Sequence, residues 1–126
     1  MRLLVTGAAG FIGSNFVRMI ASGKIEGISR VAVLDKLTYA GVKRNLLSAQ
    51  DISNYSFVEG DICDSALVSS MLKDVDAVVN FAAESHVDRS ISGASDFVQT
   101  NIVGVQVLLD AIKATGRQIR FLQVST

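Results

Sequence analysis

Leu3-Leu4-Val5-Thr6-Gly7-Ala8-Ala9-Gly10-Phe11-Ile12-Gly13-Ser14-Asn15-Phe16 opens with a short apolar run, passes through three glycines spaced three apart, and enters a helical pattern. Strand, G-x-x-G-x-x-G turn and helix in that order are the parts of a turn that cradles a dinucleotide pyrophosphate. Gly7 permits the tight turn, Gly10 lets a pyrophosphate approach the backbone without meeting a Cβ, and Gly13 lets the helix pack close to the sheet. The helix amino terminus then faces the phosphates with free N–H groups and the positive end of its dipole. Glycine spacing alone is a weak signal, and its place between a strand and a helix is what gives it weight.

Working outward, short β-branched runs alternate with helical patterns, the signature of βαβ units and a parallel sheet. Strands are expected at Leu3 to Thr6, Val31 to Asp35, Ser56 to Glu59, Ala77 to Phe81 and Ile119 to Val124. Most are continuous apolar runs, as strands covered on both faces should be. Helices are expected from Phe11 to Ile20, Leu67 to Leu72 and Phe97 to Ala114, with a less clear one in Gly41 to Ala49. Right-handed crossovers place the first strand centrally, giving an α/β fold with a doubly wound parallel sheet of the Rossmann type. With no helix after the strand that runs out at Ser125-Thr126, the sheet is expected to be incomplete on its carboxy-terminal side, and the chain is read as an amino-terminal fragment.

The 126 residues suit one domain, and 49% hydrophobic content can fill its core. Twelve Lys and Arg balance twelve Asp and Glu, so the overall field offers nucleic acid or an anionic membrane no particular attraction. Neither a signal-peptide core nor a membrane-length apolar run is present, and a cytoplasmic protein is expected. The single cysteine, Cys63, reads as a small buried hydrophobe.

Two carboxylates follow from the strand ends. Asp35 closes the second strand 28 residues after Gly7, where it can accept hydrogen bonds from the adenosine ribose and repel a 2′-phosphate. That favours NAD over NADP, although the neighbouring Lys36 partly offsets the charge. Asp61-Ile62, after the third strand, can meet the adenine edge; the alternative for Asp61 is a helix cap before Leu67.

Asp35-Lys36-Leu37-Thr38-Tyr39-Ala40-Gly41 and Ala82-Ala83-Glu84-Ser85-His86-Val87-Asp88-Arg89-Ser90, together with the glycine turn, resemble the extended branch of the short-chain dehydrogenase/reductase superfamily and, within it, the dTDP-glucose 4,6-dehydratases. The resemblance covers the whole chain. It implies an NAD site lined by Gly7, Gly10, Phe11, Ile12, Gly13, Asp35, Lys36, Leu37, Thr38, Asp61, Ile62, Phe81, Ala82, Ala83, Ser85 and Thr100. Ser85 would also touch the sugar, and Thr126, the start of a Ser-Thr-Asp-Glu stretch, would contact substrate as a catalytic residue. The implied reaction moves a hydride from C4 of dTDP-glucose to NAD, eliminates water across C5 and C6, and returns the hydride to C6. The family's Tyr-x-x-x-Lys pair and its Asp and Glu would lie beyond Thr126. An NAD-binding module without chemistry and a nucleotide-sugar epimerase are the alternatives.

Tyr39-Ala40-Gly41-Val42-Lys43 also matches Tyr-x-x-x-Lys, but it follows the second strand, on the adenosine side of the cofactor, and is rejected as the catalytic pair. His86, the only histidine, reads as a loop residue fixing local hydrogen bonds; no metal site is expected. Glu84 reads as a loop-ordering carboxylate, with substrate contact as the minority alternative. In the long helix, Val98, Ile102, Val105, Leu109 and Ile112 form one apolar stripe and Val103, Val107 and Ala114 a second. Two stripes need two coverings, and the sheet supplies one; the second falls to the carboxy-terminal half of the protein or to a partner subunit, and the resemblance, whose dimers bury this helix, implies a homodimer through the 97–114 helix.

Overall fold

The structure, a computed structural model, describes residues 1–38, 43–46, 52–85 and 87–125, with side chains for all of these except 87–89. Its five strands are β1 (Arg2–Thr6), β2 (Arg30–Asp35), β3 (Tyr55–Glu59), β4 (Ala77–Asn80) and β5 (Arg120–Gln123), all parallel and ordered β3-β2-β1-β4-β5. The glycine turn therefore leaves the central strand, where the chain's path across the sheet reverses, and ligands of doubly wound folds bind at that point.

Alternate residues of the strands feed two cores. Leu3, Val5, Val31 and Val33 meet helix α1 (Phe11–Ala21) through Val17 and Ile20. On the other face Leu4, Leu34 and Val78 meet α2 (Ser65–Met71) and α5 (Val105–Ala114) through Val68, Leu108 and Ala111. Helix α1 stops in a Schellman arrangement: Gly23 takes φ +74°, its N–H donates to Ile20 and the Lys24 N–H to Met19. At the amino ends of the strands, Arg2 donates its backbone N–H and two guanidinium nitrogens to Asp76, tying β1 to the entry of β4.

Several expectations need correction. The segment from Phe97 to Ala114 is not one α-helix. Helix α4 (Ala94–Val98) runs into a π-helical stretch, Gln99–Gly104, which runs into α5. The wider turn shifts every later residue around the axis, so neither expected stripe is the sheet-facing one. Gly104, Leu108 and Ala111 are buried, with Val107 and Ile112 packed beside them. Val98, Ile102, Val103 and Leu109 are exposed instead. Helix α3 (Val87–Ser92) occupies a stretch for which no helix was expected. Of Gly41 to Ala49 only 43–46 is described, as a 3-10 turn, and the rest of that proposed helix lies outside the described residues. Cys63 is half-buried and donates to the Gln99 carbonyl at 3.3 Å, so it is not simply a buried hydrophobe. As expected, β5 is an edge strand with an uncovered face, and Leu122 is 57% exposed there.

Candidate functional site

A cleft opens at the carboxy ends of the strands. Gly7 and Gly10 form one wall, the end of β2 contributes Asp35, Lys36 and Thr38, and the exit of β3 contributes Asp61 and Ile62. The exit of β4 adds Phe81, Ala82 and Ala83, and the π-helical stretch adds Thr100. Eleven residues inferred from sequence thus converge on one cleft, drawn from five separate segments. Leu34, Gly60 and Glu84 complete its lining; Leu34 and Gly60 were not anticipated there, whereas substrate contact was already the alternative for Glu84.

The three glycines do different work. Gly7 takes φ +67°, and a Cβ there would fall 2.4 Å from the Ala82 nitrogen, so the turn lies directly against the exit of β4. A Cβ on Gly13 would sit 2.5 Å from the Gly7 carbonyl oxygen and 2.8 Å from the Ala8 Cα. The close approach that Gly13 permits is therefore to the turn itself rather than to the sheet. At Gly10 a Cβ would meet no protein atom nearer than the Gly7 oxygen at 3.4 Å. It would instead occupy space at the mouth of α1, a cradle suited to a pyrophosphate. No side chain caps α1 and no acidic residue stands in its first turn, which leaves the positive dipole end facing the cleft.

Asp35 is 8% exposed, and both of its oxygens are engaged: Oδ2 accepts the Ala9 N–H and Oδ1 the Leu37 N–H, each at 2.8 Å. It fastens the glycine turn to the end of β2. A carboxylate has about four acceptor positions, so ribose hydroxyls can still be received. Leu37 reaches this arrangement with φ +54°, its side chain packed on the α1-side core rather than on the cleft wall. Lys36 does not neutralise Asp35. Its Nζ lies 2.9 Å from Asp61 Oδ2, and the partnership holds the lysine pKa above its ordinary value. Burial alone would push the Asp61 carboxyl up, but the Cys63 N–H at 2.9 Å and the Lys36 ammonium bring it below the ordinary carboxylate value. Asp61 is not the helix cap; Asp64 is, accepting the Leu67 N–H at 3.0 Å.

Three asparagines that sequence reasoning passed over hold the loops. Asn80, fully buried at the end of β4, accepts from the Thr6 hydroxyl and the Ala82 N–H and donates to Gln123 at 2.7 Å. Asn101 clasps the backbone of Glu84, accepting its N–H at 2.8 Å and donating to its carbonyl at 2.9 Å. Asn45 donates to the Ala9 carbonyl at 3.0 Å. The one local clue was a polar residue ending an otherwise apolar strand, at Asn80.

Other inferred residues lie elsewhere. Phe11 and Ile12 project outward from the first turn of α1, with Phe11 88% exposed, and Gly13 is buried behind the turn. Ser85 is exposed beyond the lining residues. Tyr39, His86 and Thr126 lie outside the described residues, as do the side chains of Asp88 and Arg89. Lys43 places its ammonium 5.1 Å from the centre of the Phe57 ring, on β3 and away from the cleft walls. Among the described residues no three His, Cys, Asp or Glu side chains gather to hold a metal, and no helix is long and apolar enough to cross a membrane.

Strand order, glycine turn and cleft define a Rossmann-like domain, similar in structure to parts of nucleotide-sugar dehydratases and epimerases. The model of the GDP-mannose 4,6 dehydratase family matches residues 4–126, and the chain belongs to that family. A dTDP-glucose 4,6-dehydratase from Streptomyces niveus is 55% identical over the whole chain, which covers 38% of that relative. The structure of the Streptomyces venezuelae dTDP-glucose 4,6-dehydratase DesIV, solved with NAD bound, superposes with a TM-score of 0.89 at 51% identity, over 94% of this chain and 38% of that one. A Thermotoga maritima UDP-glucose 4-epimerase, solved with UDP-glucose, reaches 0.82 at 32% identity, over 100% and 38%. The chain thus spans less than two-fifths of the length of these relatives.

Proposed function

We propose that these residues are the NAD-binding part of a longer dTDP-glucose 4,6-dehydratase. The observation that carries the reading is the buried Asp35 carboxylate fastened to the glycine turn beside an open cradle at Gly10, in a chain 55% identical to a dTDP-glucose 4,6-dehydratase. The lower identity to the epimerase, at 32%, favours dehydration over epimerisation.

In this reading Gly7, Gly10 and the first turn of α1 receive the pyrophosphate, Phe11 and Ile12 contributing backbone N–H groups rather than side chains. Asp35 accepts the ribose hydroxyls, Asp61 and Ile62 face the adenine, and Phe81, Ala82, Ala83 and Thr100 form the path towards the nicotinamide. Leu37 and Gly13 act from behind, as supports of the turn. Bound NAD supplies a reversible hydride acceptor. Oxidation at the sugar C4 acidifies the proton at C5, so elimination of the C6 hydroxyl becomes accessible through an enolate that the site stabilises. Ser85 and Thr126 contact the sugar, Thr126 beside the proton-handling groups that follow it. dTDP-glucose and NAD are both anionic and cross membranes poorly, which supports a cytoplasmic setting.

The outward apolar residues Val98, Ile102, Val103 and Leu109 need a covering, which in this reading is a partner subunit in a homodimer through this helical segment, with the remainder of the longer protein as the alternative. Expression of the full-length protein, titration with NAD and assay of dTDP-glucose conversion test the function. Failure to bind NAD, or binding without 4-keto-6-deoxy product, overturns it.

A further inference from the structure

Lys36 is the one cleft-lining cation among the described residues, and it stands beside the carboxylate proposed to meet the ribose. A free ammonium there would offset Asp35 and welcome a 2′-phosphate. The structure commits it elsewhere: Nζ lies 2.9 Å from Asp61 Oδ2, across the ends of β2 and β3, and Asp96 adds a weaker attraction. The Asp61 carboxylate is itself fixed, because Oδ1 accepts the Cys63 N–H at 2.9 Å. An anchored acceptor therefore holds a flexible donor, and Asp35 keeps its charge uncompensated at the point where the two dinucleotides differ.

We propose that Asp61 is a cofactor-specificity residue acting through Lys36, withholding its ammonium from the ribose so that a dinucleotide bearing a 2′-phosphate meets the bare Asp35 carboxylate. This rests on the NAD reading of the cleft and adds a second residue to the discrimination otherwise given to Asp35 alone. Asp61 acts here as a positioning residue, whatever contact it makes with adenine.

The test measures NAD and NADP dissociation constants for full-length wild type, Asp61→Asn, Lys36→Gln and the double variant. Asparagine retains Oδ1 for the Cys63 N–H and removes only the charge. Asp61→Asn is expected to narrow the preference for NAD about tenfold by improving NADP binding, as one freed charge-assisted contact would. The double variant is expected to lose that gain. An unchanged ratio in Asp61→Asn overturns the proposal, and so does a gain that survives in the double variant, since it would then come from the field of Asp61 itself. Lys36→Gln alone provides a check independent of the folding of Asp61→Asn: a sequestered lysine predicts that NADP binding changes by less than about threefold, and a larger loss means that Lys36 already serves the 2′-phosphate. If wild type binds neither dinucleotide, the NAD reading fails and this one with it; NAD binding without the predicted shifts removes only the proposal about Asp61.

Discussion

Gly7 and Gly10 lie three residues apart in one turn, yet an added methyl group should act on different properties at each. At Gly7 an alanine must adopt φ +67° and place its Cβ 2.4 to 2.6 Å from backbone atoms of Phe81 and Ala82, which cannot rotate away. The left-handed conformation costs an L-residue about 1–2 kcal/mol. Forcing a methyl into packed surroundings costs a further 1–3 kcal/mol or so. Gly7→Ala should therefore destabilise by roughly 2–5 kcal/mol, a large share of the ~5–15 kcal/mol that holds a typical protein folded. At Gly10 the backbone is ordinary, φ −73°, and the methyl meets only an oxygen at 3.4 Å. Losing a glycine at this helix-capping position costs about 1 kcal/mol or less. The methyl would instead stand where the pyrophosphate is proposed to lie, and an overlap of that kind should weaken NAD about 10- to 100-fold. Denaturant titration of the full-length variants reads the first quantity and cofactor titration the second. A Gly7→Ala protein as stable as wild type, or a Gly10→Ala protein that binds NAD normally, would refute the division of labour.

Four other outcomes are expected. Leu108→Ala should cost about 2–5 kcal/mol in a denaturant titration because the side chain is fully buried, whereas Leu109→Ala, 43% exposed, should cost a small fraction of that. Asp76, held well below the ordinary carboxylate range by the Arg2 side chain and backbone N–H, contributes stability present above the unfolded value of about 3.9 and lost as pH falls towards the depressed folded value. Asp76→Asn should accordingly flatten the acid limb of a stability–pH curve, and an unchanged limb would show that the Arg2 pairing is energetically idle. Ile102→Lys with Leu109→Lys should shift the full-length protein to a monomer by light scattering; Val107, packed on the core, is unsuitable for this test. Residues 1–126 alone should convert no dTDP-glucose, and turnover by them would promote Tyr39 and Lys43.

The sheet was legible because most of its strands are compact apolar runs, and the glycine turn because a positive φ and two close backbone approaches leave few residue types to choose from. Asp35 was legible as a charge at a strand end, but its grip on Ala9 was not, since that bond joins segments 26 residues apart. Asn101 and Asn80 escaped for the same reason: their partners are chosen by tertiary approach, and even a polar residue ending an apolar strand, as at Asn80, does not say what it clasps. The interrupted helix escaped because hydrophobic periodicity assumes 3.6 residues per turn, and the wider stretch from Gln99 to Gly104 breaks that count without a proline or any other local signal.

That stretch also bears on how the segment can change length. A π turn is an α turn carrying an inserted residue, so excising one residue between Gln99 and Gly104 would let the helix close into ordinary α geometry rather than break. Because the wider stretch already absorbs the extra residue, the segments on either side would keep nearly their present facing, whereas a deletion in regular α-helix would rotate them by about 100°. Only positions inside the stretch would be re-placed, Thr100 on the cleft wall and Asn101 at Glu84 among them, while Leu108 and Ala111 kept their seats on the sheet. A one-codon deletion here would thus leave a foldable helix with both flanks in register and a local change at the rim, so in aligning this segment with shorter relatives the gap belongs inside the helix and not in the loops that flank it.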